Sequence, residues 1–102
     1  MAASVSEFFG GLEAAANPDK LAGIDTSYLF DVDGAGEWFV DIHDGHLHVT
    51  EGGGEADCTI SASESTFLKI VNGEQNATSA YMTGKIKVKG DMGAALKLQS
   101  IF

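Results

Sequence analysis

The sequence predicts an α+β domain, and three observations carry that expectation. Apolar residues recur at helical intervals near the N-terminus, alternate at every second position from Thr26 to Thr50, and alternate again from Lys85 to Lys89, with further helical runs in between. A sheet with one apolar face needs helices to cover it, and the opposite, polar face meets water. At 102 residues, 44% hydrophobic and 21% charged, the chain is expected to form one domain over residues 1–102 around one core.

Each element has its own local reason. Ser4-Val-Ser-Glu7 has the spacing of a capping box. Val5, Phe8, Phe9, Leu12 and Ala16 then share one helix face, and Asn17-Pro18 stops the run because proline lacks the N–H that a continuing helix needs. Phe8 and Phe9 serve either as core or as one wall of a ligand cavity. Tyr28, Phe30 and Val32 alternate with Leu29, Asp31 and Asp33; after Gly34-Ala-Gly36, Trp38, Val40 and Ile42 alternate with Phe39, Asp41 and His43. These are two antiparallel strands. Asp44-Gly45 is a favoured hairpin turn into a third strand, His46 to Thr50, and Gly52-Gly53-Gly54 ends the meander.

Asp57 to Ser61 reads as a fourth strand with Cys58 and Ile60 inward, and Ser61 or Ser63 caps a helix carrying Phe67, Leu68, Ile70 and Val71 to Asn72-Gly73. Asn76 caps another short helix through Tyr81 and Met82. Lys85-Ile-Lys-Val-Lys89 is a fifth strand by strict alternation, and Gly90-Asp91 turns it into a final helix bearing Met92, Ala95, Leu96, Gln99 and Phe102.

Charge excludes some functions. The formal net charge is -9. Residues 1–84 carry 14 acidic side chains against Lys20 and Lys69, whereas residues 85–102 carry Lys85, Lys87, Lys89 and Lys97 against Asp91. There is no arginine, and an acidic body repels a nucleic-acid backbone, so no nucleic-acid partner is expected. No apolar run approaches the ~20 residues that span a bilayer. The opening residues lack the basic and apolar regions of a secretory signal, and a lone Cys58 fits a reducing compartment, so a cytoplasmic location is expected.

Candidate chemistry is sparse. The hairpin places His43 opposite His46 and Asp41 opposite His48, all on one face, where they form either a metal-ligand set or an ordinary polar surface; the latter is the expectation, with no metal. Cys58 alternates inward without a basic neighbour to lower its pKa, as a buried inert thiol does. Phosphate-binding loops, nucleophile elbows and paired-cysteine zinc motifs are missing, so neither catalysis nor a cofactor is expected.

The residues from Ala56 to Gly73 and from Asn76 to Gln99 closely resemble the sterol carrier protein 2 family. Most telling is Gly84-Lys-Ile-Lys-Val-Lys-Gly-Asp-Met-Gly-Ala-Ala-Leu-Lys-Leu-Gln99, and Trp38-Phe-Val-Asp-Ile-His-Asp-Gly45 looks like the family's second strand and hairpin. The likeness is strong over residues 56–102, weaker from residue 28, and one of pattern only in the N-terminal helix. It implies a five-stranded mixed sheet with helices packed over one face, and between them an apolar tunnel for a fatty acid, fatty acyl-CoA, sterol or phospholipid. It implies lipid binding and transfer without a chemical step. Unlike animal members of the family, which end in a peroxisomal targeting tripeptide, this sequence ends at Ser-Ile-Phe102, so peroxisomal import is not expected and the cavity is expected to be more open.

Positions matching the family that would line the tunnel are Trp38, Phe67, Ile70, Val71, Tyr81, Met82, Ile86, Met92, Leu96 and Gln99. Flexible Met82 and Met92 suit a site that repacks around different chains. Gln99 either bonds a head group or faces solvent. Lys85, Lys87 and Lys89 share a strand face that either docks an anion (a carboxylate, a CoA phosphate or a membrane surface) or protects a sheet edge, and edge protection is the plainer reading. The alternative function is an accessory domain that scaffolds a lipid-modifying enzyme, with Phe39 and Leu29 on the outer face as contacts.

Overall fold

The first helix begins as its spacing predicts, with the Glu7 N–H donating to Ser4 Oγ at 3.1 Å. The computed structural model describes residues 4–15 and 17–94. Helix α1 (Val5–Ala15) buries Val5, Phe9 and Leu12. A short helix α2 (Pro18–Leu21) follows, which the sequence reading did not anticipate. Asn17-Pro18 ends one helix and starts the next: Asn17 Oδ1 accepts from the Asp19 N–H at 3.0 Å, and proline at the first helical position gives up an N–H that would be unpaired anyway.

Strands β1 (Thr26–Asp33), β2 (Gly36–His43) and β3 (His46–Glu51) form the antiparallel meander. Its β2–β3 turn has positive φ at both Asp44 and Gly45, the conformation whose twist matches paired strands. Strand β4 (Cys58–Ser63) pairs with β1 in parallel, and β5 (Ile86–Gly90) pairs antiparallel with β4. The sheet order is β3-β2-β1-β4-β5, a five-stranded mixed sheet.

Three boundaries differ from the alternation. β3 runs one residue further, to Glu51, which pairs with Trp38. β4 starts at Cys58 and runs on to Ser63 because the parallel ladder with β1 continues to Asp33. β5 is shifted by one residue because the Lys85 N–H donates to the Ala80 carbonyl at 2.8 Å, closing the preceding helix rather than joining the sheet. That helix, α4 (Ala77–Met82), is capped by Asn76, whose Oδ1 accepts from the Thr78 and Ser79 N–H groups at 2.8 and 3.2 Å. Of the two serines considered for α3 (Glu64–Val71), Ser63 is the cap, accepting from the Thr66 N–H at 3.2 Å.

Alternation sorts the sheet faces. Tyr28, Phe30, Val32, Trp38, Val40, Ile42, Leu47, Cys58, Ile60 and Ala62 are buried on the inner face, under the helices. Joining β3 at one edge to β4 beyond β1 requires crossing three strand spacings, roughly 14 Å. The crossing runs over the outer face: a Cβ on Gly54 would lie 3.2 Å from the Phe39 ring, one on Gly53 would lie 3.2 Å from the Glu37 carboxylate, and Asp57 then meets Ser27 of β1. The glycine run is therefore a crossover fitted closely to the sheet as well as the end of a meander.

After β5, residues 92–94 are helical, and Asp91 Oδ1 accepts from the Ala94 N–H at 3.2 Å. The expectations placed on Ala16, Ala95, Leu96, Lys97, Gln99 and Phe102 lie outside the described residues.

Gly90 gives a sharp test. Its φ is +95°, and an added Cβ would lie 2.4 Å from the Asp57 carbonyl oxygen. Gly90→Ala is expected to cost about 2–3 kcal/mol, whereas Gly73→Ala, also at positive φ but in open space, costs about 1 kcal/mol; thermal unfolding of the two variants checks the difference.

Candidate functional site

The helical spacing of α1 directs Phe9 onto the sheet, where aromatic rings close around it. Phe9 stacks on Trp38 with ring centroids 4.8 Å apart and on Phe67 at 5.5 Å, and it meets Phe30 at 5.3 Å. Phe8 packs edge-on against Phe67 at 5.6 Å. This block fills the space between α1, α3 and the centre of the sheet.

Beside the block the inner face is less completely covered. Across β4 and β5, Ala62 pairs with Ile86 and Ile60 with Val88, so these four side chains share the inner face. Ile86 and Val88 are half-buried, as are Leu68 and Val71 of α3, and all four pack against the core. The result is an apolar strip bounded by β4, β5 and α3. A strip of this kind can hold a hydrocarbon chain by burial alone, without any group that makes or breaks bonds.

One end of the inner face is polar and closely bonded. The Tyr28 hydroxyl donates to the Ala94 carbonyl at 2.6 Å; on the outer face of the same strand, the Asp57 N–H donates to Ser27 Oγ at 3.0 Å, while Asp57 Oδ2 accepts from the Ser27 N–H at 3.1 Å. Burial, reinforced by Cys58, Asp91 and Asp57 in that order, pushes the Tyr28 pKa up to about 12. Burial also pushes up the Cys58 thiol, with Asp91 and Asp57 adding to it. Both groups are thus held neutral, the opposite of what a nucleophile requires.

The sequence model of the SCP-2 sterol transfer family matches residues 7–102. The chain belongs to that family. The match takes in most of the N-terminal helix, where the sequence likeness had been one of pattern only. Among relatives of this SCP-2 domain, human sterol carrier protein 2 is 39% identical over 85 residues, covering 80% of this chain and 16% of that protein. Hydroxysteroid dehydrogenase-like protein 2 of Xenopus tropicalis is 36% identical over 101 residues, covering 95% of this chain and 24% of that protein. The chain thus spans a quarter or less of the length of these curated relatives. The solution structure of sterol carrier protein domain 2 of Helicoverpa armigera superposes with a TM-score of 0.77 at 31% identity, covering 93% of this chain and 82% of that one.

Within this SCP-2 domain the residues expected to line a tunnel fall into three groups. Trp38 and Phe67 belong to the aromatic block; Ile70, Val71 and Ile86 are half-buried; Tyr81, Met82 and Met92 are 45%, 80% and 44% exposed. Leu96 and Gln99 lie outside the described residues. Val71 and Ile86 are thus brought to the strip, joined by Leu68, Ile60, Ala62 and Val88, which the sequence does not single out as site residues. The register Ala62↔Ile86 and Ile60↔Val88 is the signal that places them together, and alternation alone supplies half of it.

The hairpin histidines do share a face, with His43 and His48 ring centroids 5.7 Å apart, His46 and His48 at 6.4 Å, and Asp41 within 3.4 Å of His43 Nδ1. Among the described residues no three His, Cys, Asp or Glu side chains are placed to hold a metal ion. No helix among them is long and apolar enough to cross a membrane. Phe39 and Leu29 pair across β2 and β1 on the outer face, but both are half-buried, and the Gly54 backbone lies against Phe39.

Two measurements follow from the buried polar end. An unfolded tyrosine ionises near its ordinary value of 10.0 and Tyr28 in the fold only near 12, so the unfolded state binds fewer protons in between. The contribution is complete below pH 10 and is lost as pH rises towards 12, a fall of roughly 2–3 kcal/mol seen in urea titrations at stepped pH. Tyr28→Phe is expected to cost about 1 kcal/mol at neutral pH and to remove this part of the alkaline slope, leaving what Cys58 contributes above its own ordinary pKa. Cys58 is the sole cysteine, so maleimide labelling of native protein is expected to proceed at the rate of opening and to complete at once in denaturant.

Proposed function

We propose that this domain binds a single lipid chain without covalent chemistry and carries it between membranes or to enzymes of lipid metabolism. The observation that carries the reading is the match to a sterol transfer family over residues 7–102, and the half-buried strip of Leu68, Val71, Ile86 and Val88 gives the chain a place to lie. The ligand class is a fatty acid, fatty acyl-CoA, sterol or phospholipid held in an apolar tunnel between sheet and helices. Burying ten methylene groups releases roughly 8 kcal/mol before ordering costs, enough for useful affinity without a charged anchor. The raised pKa values of Tyr28 and Cys58 support a role without catalysis.

The relatives named as dehydrogenase-like proteins support delivery to an enzyme, because a region like this one makes up only about a quarter of their length. The cytoplasm is the proposed compartment, and contact with membranes is transient. A pure scaffold role is the weaker reading, since the outer-face apolar pair on which it rested is partly covered by the crossover.

Native mass spectrometry of untagged protein purified without detergent, followed by organic extraction, is expected to find one bound lipid per chain. Val71→Trp and Ile86→Trp, which place an indole in the strip, are expected to lower uptake of a fluorescent fatty acid by tenfold or more while circular dichroism stays unchanged. An empty protein that takes up neither fatty acid nor acyl-CoA would overturn the carrier reading.

A further inference from the structure

Most of this protein's charge is negative, yet three of its six lysines stand in one row. Lys87 and Lys89 alternate with inward Ile86 and Val88 on β5, an edge strand, and Lys85 precedes them at the same parity. Successive lysines are therefore about 7 Å apart along the edge. Their cross-strand neighbours on β4 are uncharged: Ser61 faces Lys87 and Thr59 faces Lys89. Asp31, in the same row as Ser61 and Lys87, lies two strands away, roughly 10 Å, where screening by physiological salt has set in. Asp91, just past the strand, has Oδ1 engaged with the Ala94 N–H.

The row continues into exposed apolar surface. Helix α4 is fused to β5 by hydrogen bonds from the Gly84 N–H to the Tyr81 carbonyl at 3.1 Å and from the Lys85 N–H to the Ala80 carbonyl. Residues 81–85 are all exposed, and Met82, at 80%, is the most exposed large apolar side chain among the described residues. We infer that the β5 edge and the tip of α4 form the surface by which the protein docks on an anionic bilayer, Lys85, Lys87 and Lys89 meeting lipid head groups and Met82 and Tyr81 entering the interface.

Charge complementarity decides the occupant and its orientation. A line of three lysines matches a plane of head groups better than one phosphate, which needs convergent donors. Lys87 and Lys89 share the outer face with Asp31, Asp33, Glu37 and Asp41, but they stand on the β5 edge while those acids lie on β1 and β2, so the protein approaches with that edge first. That approach brings Ile86 and Val88, and with them the apolar strip, beside the bilayer. The inference rests on the carrier reading only in taking the bilayer as the place where cargo is exchanged.

The test is co-sedimentation of the full chain with phosphatidylcholine vesicles with and without one-third phosphatidylglycerol, alongside fatty-acid uptake. Binding is expected only to the anionic vesicles and is lost in high salt. Each lysine removed lowers partitioning about fivefold, so joint Lys85→Gln, Lys87→Gln and Lys89→Gln lowers it about a hundredfold. Replacement of all three by arginine keeps it, Met82→Gln lowers it severalfold, and Lys69→Gln on α3 leaves it unchanged. Loss of docking with fatty-acid uptake retained in the glutamine variant supports the inference separately from the carrier reading; a parent that docks but takes up no lipid supports docking and overturns the carrier. Equal binding to both vesicle types, no binding to either, or an equal loss in Lys69→Gln would overturn the docking surface. So would a glutamine variant that still docks but no longer binds acyl-CoA, since the lysines would then serve the CoA phosphates.

Discussion

The parallel pairing of β1 with β4 is the constraint on which the rest of the architecture depends. A meander alone leaves β1 as an unpaired edge, and only a chain that crosses the sheet can supply a parallel neighbour there. The crossing occupies residues between Glu51 and Cys58, and it passes over Glu37 and Phe39 on the outer face. Close approach to the Phe39 ring accounts for glycine at position 54. Because the connection takes the outer face, the whole inner face is left to helices and, in the proposed function, to cargo.

That inner face is divided between two kinds of packing. Under α1 and α3, Phe9, Phe30, Trp38 and Phe67 interlock, and rings so placed contribute stability beyond the area they bury. Elsewhere on that face, Ile86 and Val88 of β5 are left half-buried beside the buried Ile60 and Ala62 of β4. A closely packed aromatic wall thus stands beside a less completely covered aliphatic strip on the same sheet face.

Much of this was legible because its causes are local. Period-two alternation marked all five strands, Asp44-Gly45 announced the hairpin, and Ser4, Ser63 and Asn76 announced helices by their ability to accept from backbone N–H groups. What sequence left undecided depended on partners distant in the chain. Asn17-Pro18 looks the same whether a helix only stops or another begins; the exit of Lys85 from β5 depends on a carbonyl five residues back; and the course of Gly52-Gly53-Gly54 over the sheet depends on Phe39 and Glu37. The site was legible in part, for a different reason: core and cavity draw on the same side chains, so Trp38 and Val71 read alike although one lies in the aromatic block and the other borders the strip.

The Tyr28 hydrogen bond to Ala94 also bears on how the chain is made. The bond joins residues 66 apart, and the parallel partner of Tyr28 is Cys58. During synthesis from the N-terminus the meander can form early, but β1 keeps an open flank until β4 has left the ribosome, and its tyrosine keeps an unanswered hydroxyl until Ala94 has followed. The central strand therefore emerges well before it is fully enclosed. The interval between those two events is when this fold is most exposed to pairing with a neighbouring nascent chain.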